Sequence, residues 1–396
     1  MTETITPRPQ ELSLAALFLR FLGFGFMAFG GPVAQIAMVK KALVEDERWI
    51  EPARFNRLLA VLQVLPGPEA HELCVHLGMV SRGRLGGLLA GLGFMLPGFA
   101  LMLVAGWLYV SLIAGRDDLS GVLLGVQIAV LAIILRAVVR IGQHILENRV
   151  LWLVAIASLI ATVIGVPFWI PLVVGGVGYA LSHRPAVVAL IVAAAIGLSV
   201  ALRMSPDLAT NAPATLGAPV TLLALFVAGL KGGLLTFGGA YTAIPYVRAD
   251  TVGRGWIGDA TFLDGIALAG VLPAPLVIFA TFVGYVVGGV GGACAITAGM
   301  FLPAFAFSLI FYERLEAIVE NPALHHVLDG VAAAVVGIIA ATFLQLGQAT
   351  VARVPDPLIA GMVFAVALAA VWRLKGLWVT PAILAAGGVA GWLVVG

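Results

Sequence analysis

The chain has 396 residues, of which 61% are hydrophobic and 11% charged, with a net charge of +2. Its mean hydropathy of +1.09 excludes an ordinary soluble protein, in which about 25% of residues are charged. So small a net charge, without a dense basic run, leaves nucleic acid no electrostatic footprint.

Residues 1–12 are polar and lack the basic-then-apolar pattern of a cleavable signal, so the first apolar stretch reads as a permanent span. A helix crossing a bilayer needs about 20 apolar residues. Segments of that kind are 14–38, 55–80, 85–113, 119–143, 150–166 and 168–182, then 186–202. The second half gives 219–247, 260–287, 290–312, 325–349, 356–373 and 378–395. The expected fold is an all-α polytopic membrane protein with about six crossings per half. Its parts are a first repeat over 13–183, a connecting helix and linker over 184–218, and a second repeat over 219–396.

The halves are related by sequence. Thr236 to Gly239 repeats the Phe-Gly-Gly of Phe29 to Gly31, Leu272 to Pro275 repeats Leu65 to Pro68, and Leu302-Pro303 repeats Leu96-Pro97. The offsets drift slowly: 237 − 29 is 208, 273 − 66 is 207, 303 − 97 is 206, and Gly142-Gln143 returns at Gly347-Gln348, 205 later. If each broken segment crosses once, seven crossings precede the second copy, and the repeats are inverted about an axis in the membrane plane. The loop 40–57 carries five Lys/Arg, which the positive-inside rule assigns to the cytoplasm.

The shared core consists of helix breakers in membrane-grade sequence. Backbone groups freed at Gly30-Gly31, Pro66-Gly67-Pro68, Gly238-Gly239 and Pro273-Ala274-Pro275 survive in hydrocarbon only where protein or a wet cavity satisfies them. A helix restarting after each break aims N–H groups and a dipole at one spot, which suits a small multivalent oxyanion. Packing kinks are the alternative.

Charges inside spans cost about 2.5–3.5 kcal/mol each on insertion scales. Lys231 and Arg136 are candidates to offset an anion, with snorkelling as the alternative for Lys231. Arg20 sits near a segment start, and Arg140 and His144 near a boundary. Glu69, His71 and Glu72 follow the first Pro-Gly-Pro, where the repeat (Leu276 to Val283) is apolar apart from Thr281. Carboxylates and a histidine beside a substrate site form a proton relay. Glu69 also suits a helix first turn by the dipole alone. Asp264, aligned with Arg57, is either a boundary residue or part of a relay.

His71-Glu72 is not a zinc-protease motif, because the next histidine, His76, falls at i+5. Cys74 and Cys294 lack CxxC spacing, and Gly23-x-Gly25 lacks a third glycine. No cofactor, metal or enzyme activity is therefore expected.

The Phe-Gly-Gly-Pro run, the charged stretch with Trp49, the Leu-Pro-Gly-Pro-Glu-Ala run and their weakened second copy resemble the chromate ion transporter family in its long two-domain form, over about residues 15–395. The resemblance implies a multi-pass inner-membrane transporter that exports chromate, with sulfate as the natural competitor. It marks Phe29, Gly30, Gly31, Leu65 to Glu69, Phe237 to Gly239 and Pro273 to Pro275 as signature positions. Amides are usual where this chain has His71 and Glu72. Sulfate or other oxyanion uptake or exchange is the alternative function, and an intramembrane enzyme a distant one. Lipid is the surrounding partner, and pairing of two copies stays open.

Overall fold

A computed structural model describes residues 12–29, 31–204, 219–236, 240–310, 322–374, 376 and 378–395. The described residues are helical with no strand. The first half contains α1 (Leu14–Phe26), α2 (Gly31–Lys40) and α3 (Pro52–Val64), then a continuous helical stretch, Glu69–Leu108. That stretch reverses at Arg82 and Gly83 (φ +61°), which divides it into α4 (69–81) and α5 (84–108). Next come α6 (Ser120–Ile145), α7 (Arg149–Val163), α8 (Trp169–Ala180) and α9 (Pro185–Met204).

The second half repeats this order. It has α10 (Leu222–Leu234), α11 (Ile244–Thr251), entered by a 3₁₀ turn at Ala240–Ala243, and α12 (Asp259–Val271). The stretch Phe279–Ile310 reverses at Gly288 and Gly289 (φ +60°), giving α13 (279–287) and α14 (290–310). Then follow α15 (Pro322–Val351), α16 (Pro357–Arg373) and α17 (Val379–Val395).

The duplication extends to local chemistry. Ser13 caps α1 by accepting from the Ala16 N–H, and Thr221 caps α10 through Ala224. Asn148 and Asp356 cap α7 and α16 in the same way. At both reversals a glycine supplies the left-handed backbone that side chains avoid. The limbs then touch: a Cβ on Gly78 would lie 2.5 Å from the Gly86 carbonyl, and one on Gly284 would lie 2.5 Å from the Gly292 carbonyl.

The broken segments double back at their breaks. Arg20 of α1 pairs with Glu47, and Phe21 stacks on Trp49 at 6.3 Å, although both partners follow α2. Lys231 of α10 likewise pairs with Asp250 at the end of α11, at 3.1 Å. Phe262 of α12 meets Phe279 of α13 at 5.6 Å, ring to ring. At 1.5 Å per residue the 13-residue α1 is only about 20 Å long, so these tips end inside the bilayer. Two such reversals precede the second copy, which leaves the number of passes before it odd. The inversion is visible directly. Gly87 packs on Leu309 and Gly91 on Phe305, so the equivalent helices α5 and α14 run antiparallel, as a two-fold axis across the helices requires.

The halves also exchange helices. α6 packs against α16 and α17 of the second half, and α15 against α7 and α8 of the first. Glycines let the backbones approach: Gly121 and Gly125 face Gly391 and Gly387, and Gly175 faces Gly330.

Candidate functional site

The doubled-back tips meet near the middle of the molecule, each touching the opposite half. The Gly67 N–H donates to the Thr236 carbonyl at 2.8 Å. The equivalent junction joins Ala28 to Ala274. There the Gln35 amide donates to both carbonyls, at 2.8 and 2.9 Å. Gln35 thus satisfies backbone groups that the breaks leave open in hydrocarbon. Its repeat position is Ala243 (35 + 208), so an amide inside an apolar half-helix was the available sequence signal.

A cavity of about 840 Å³ lies against these tips. Gly31 and Glu69, where α2 and α4 start, line it. So do Ala240 and Leu276, which open the 3₁₀ turns leading into the equivalent helices of the second half. Two helix N-termini and two 3₁₀ turns therefore face one space. Arg136 and Arg140 of α6 form another wall, with Tyr241 in electrostatic reach of both. His144, Glu147, His325 and Asp329 line the cavity further out, at the α6–α7 turn and the start of α15. It opens on the face that carries the loop between α2 and α3.

The expected site residues fall into groups. Gly31 (φ +77°) is on the cavity wall. Phe29 stacks on Trp378 with ring centroids 6.3 Å apart. Pro66 and Gly67 form the tip itself, and the Pro68 carbonyl accepts from the His71 and Glu72 N–H groups that open α4. The Pro273 carbonyl and Ala274 pack on Gly98, and Pro275 leads into the next helix. Gly30, Phe237, Gly238 and Gly239 lie outside the described residues. Arg136 is in the cavity, and Arg140, read from sequence as a boundary residue, joins it.

Lys231 differs from the expectation that it offsets an anion. It is absent from the cavity lining, and Asp250 holds its ammonium at 3.1 and 3.2 Å while also accepting from Arg254 at 3.3 Å.

The acidic run is split by helical periodicity. Glu69 faces the cavity, whereas His71 and Glu72 are fully buried behind it, both 0% exposed. The Glu72 carboxylate rests against the Gly67 backbone and has no hydrogen-bond partner. The His71 ring stands edge-on to Phe301 and Phe305 at 4.9 and 4.7 Å. The Gly91 carbonyl lies alongside it but outside good hydrogen-bond geometry. Among the described residues no cluster could hold a metal ion.

This architecture, a duplicated bundle with paired breaks around a cavity that has two arginines in its wall, has relatives. The pattern of the family described as Chromate transporter matches residues 15–182 and again 223–392. A chromate transport protein of Pseudomonas aeruginosa is 56% identical over 390 residues, covering 98% of this chain and 94% of that one. One of Cupriavidus metallidurans is 31% identical over 88% of this chain and 86% of its own length. A probable chromate transport protein of Synechococcus elongatus is 30% identical over 96% of this chain and 95% of its own. No solved structure matches. The chain belongs to the chromate transporter family, and it is a multi-pass helical membrane protein.

Proposed function

We propose that this protein is a secondary transporter that exports chromate from the cytoplasm across the inner membrane, giving chromate resistance. The observation that carries the reading is the convergence of two helix starts, two 3₁₀ turns and two arginines on one cavity. A tetrahedral dianion in a low-dielectric site is costly unless paired and hydrogen-bonded from several sides. Backbone N–H groups at the starts of α2 and α4 and their equivalents supply donors, and Arg136 and Arg140 supply charge. Sulfate has the same shape and charge and competes at the same place.

Charge placement supports an orientation compatible with export. Lys40, Lys41, Arg48, Arg54, Arg82, Arg84, Arg149, Arg184 and Arg373 belong to the face on which the cavity opens. Arg116, Arg248, Arg254 and Arg353 belong to the other. The positive-inside rule makes the cavity face cytoplasmic, where an exporter loads its substrate.

Glu69, His71 and Glu72 form the proton path of this proposal, with Glu69 at the cavity wall and Glu72 one turn deeper. A carboxylate with no donor or cation is costly to keep charged. Chromate and a proton bound side by side would travel in one direction, so export driven by an inward proton gradient requires that they occupy the site alternately. Purified protein in vesicles, given labelled chromate and sulfate with and without a pH gradient, tests the reading. Chromate movement that responds to the gradient and is inhibited by sulfate is expected. An absence of chromate movement in both vesicle orientations would overturn it.

A further inference from the structure

A buried carboxylate on the other side of the breaks takes no part in the anion cavity. Asp264 of α12 is 4% exposed. Its Oδ2 accepts from the Tyr109 hydroxyl at 2.8 Å, and its Oδ1 accepts from Gln127 Nε2 at 2.8 Å. Tyr109 begins the π turn that ends α5, and Gln127 is on α6. Gln127 Nε2 also reaches the Ala260 carbonyl at 3.3 Å, and the Tyr109 hydroxyl reaches Thr261 Oγ1 at 3.4 Å. From α13 the Phe282 ring faces the cluster, 5.0 Å from the Tyr109 ring. Arg353, at the end of α15, is the charged group in electrostatic range. None of the ion pairs among the described residues includes Asp264.

The cluster joins the halves. Tyr109 and Gln127 belong to the first, and Asp264 to the second. α5 ends and α6 begins on the face opposite the cavity mouth, so the contact closes that face. Two donors and no acceptor meet the carboxylate, which describes its ionised form. The same site can also satisfy the protonated form, because Gln127 Oε1 is buried without a partner. A half-turn of the amide would let Oε1 accept a proton carried on Asp264 Oδ1. Tyr109 would keep donating to Oδ2. The turn withdraws Nε2 from the Ala260 carbonyl and replaces charge-assisted bonds with neutral ones, which are roughly half as strong.

We infer that Asp264 is a proton-binding site on the face opposite the cavity mouth, clasping the two halves when ionised and loosening them when protonated. Its consequence for transport rests on the proposed export function: acidity outside favours opening of the exit. The site gates that face and does not itself carry a proton across. A metal ion is the competing occupant, but donors at 2.8 Å fill the coordination space around the carboxylate.

Infrared difference spectra of the purified full-length protein, recorded on acidification without chromate, test the inference independently of transport. Wild type should gain a protonated-carboxyl C=O band that Asp264→Asn lacks. Tyr109→Phe should move that band to higher frequency, since the carbonyl loses a donor. Gln127→Leu should also move that band to higher frequency, since the carboxyl O–H loses its acceptor. An unchanged band in Asp264→Asn, or an unshifted one in both Tyr109→Phe and Gln127→Leu, would overturn the assignment. So would loss of the wild-type band on adding sodium, which would make the site one for a metal cation. If Asp264→Asn does not fold, the two donor variants decide alone.

Discussion

Arg136 and Arg140 are one helical turn apart on α6 and share the cavity wall, so both should contribute to anion binding. A charge-assisted hydrogen bond contributes about 2 kcal/mol, roughly thirtyfold in Kd. Arg136→Leu and Arg140→Leu should each weaken chromate binding by about that factor in equilibrium binding to purified protein. Lys231→Met should change Kd by less than about twofold, because Lys231 is engaged by Asp250 and is absent from the cavity lining. Glu72 poses a different question. Glu72→Gln should retain chromate binding and lose the pH dependence of transport; a wild-type pH profile would place the coupling elsewhere. Gly67 supports that carboxylate from below with φ +150°, and a Cβ there would strike Glu72 and lie 3.4 Å from Ala304 Cβ. Gly67→Ala should destabilise the protein by roughly 1–3 kcal/mol, read as a lowered thermal midpoint with reduced transport.

At the scale of helices, the glycines of the exchanged seams set how closely α6 and α17 approach. A Cβ on Gly391 would meet the Gly121 carbonyl, a backbone atom that cannot swing aside. Gly391→Val should therefore open the seam and lower the midpoint by about 5 °C or more, whereas Gly361→Ala, at an open position on α16, should not. The breaks themselves were legible in sequence, because glycine and proline inside apolar runs have few other uses. Their doubling back was not. A helix interrupted at Gly30-Gly31 has the same composition whether the chain continues or reverses, and the reversal shows only in pairing between distant residues, Arg20 on Glu47 and Lys231 on Asp250. The split between Glu69 and Glu72 was hidden for a similar reason: periodicity separates their directions without saying which one points to a cavity.

For the whole molecule, inversion places equivalent loops on opposite faces. Single cysteines at Glu45 and Gly258, both exposed, in a background with Cys294 replaced, should react with an impermeant thiol reagent from opposite sides. Reaction of Glu45→Cys from inside only would fix the cavity face as cytoplasmic. Reaction of both from one side would remove the inverted arrangement. The repeat offsets made this symmetry readable in advance, because a drift of only three residues, from 208 to 205, leaves few insertions to misalign the halves.

The exchanged helices carry a consequence for the order in which the chain assembles. α6 emerges during synthesis long before α16 and α17, yet those are the helices it packs against. Until the last segments insert, the glycine face of α6 at Gly121 and Gly125 can be covered only by lipid or by another protein. Completion of the first half must therefore wait until α17 has been synthesised, and contacts of such long sequence separation close slowly. A nascent chain stopped before Val379 would hold nearly all its membrane segments and still lack the partner that fixes α6, the helix bearing Arg136 and Arg140.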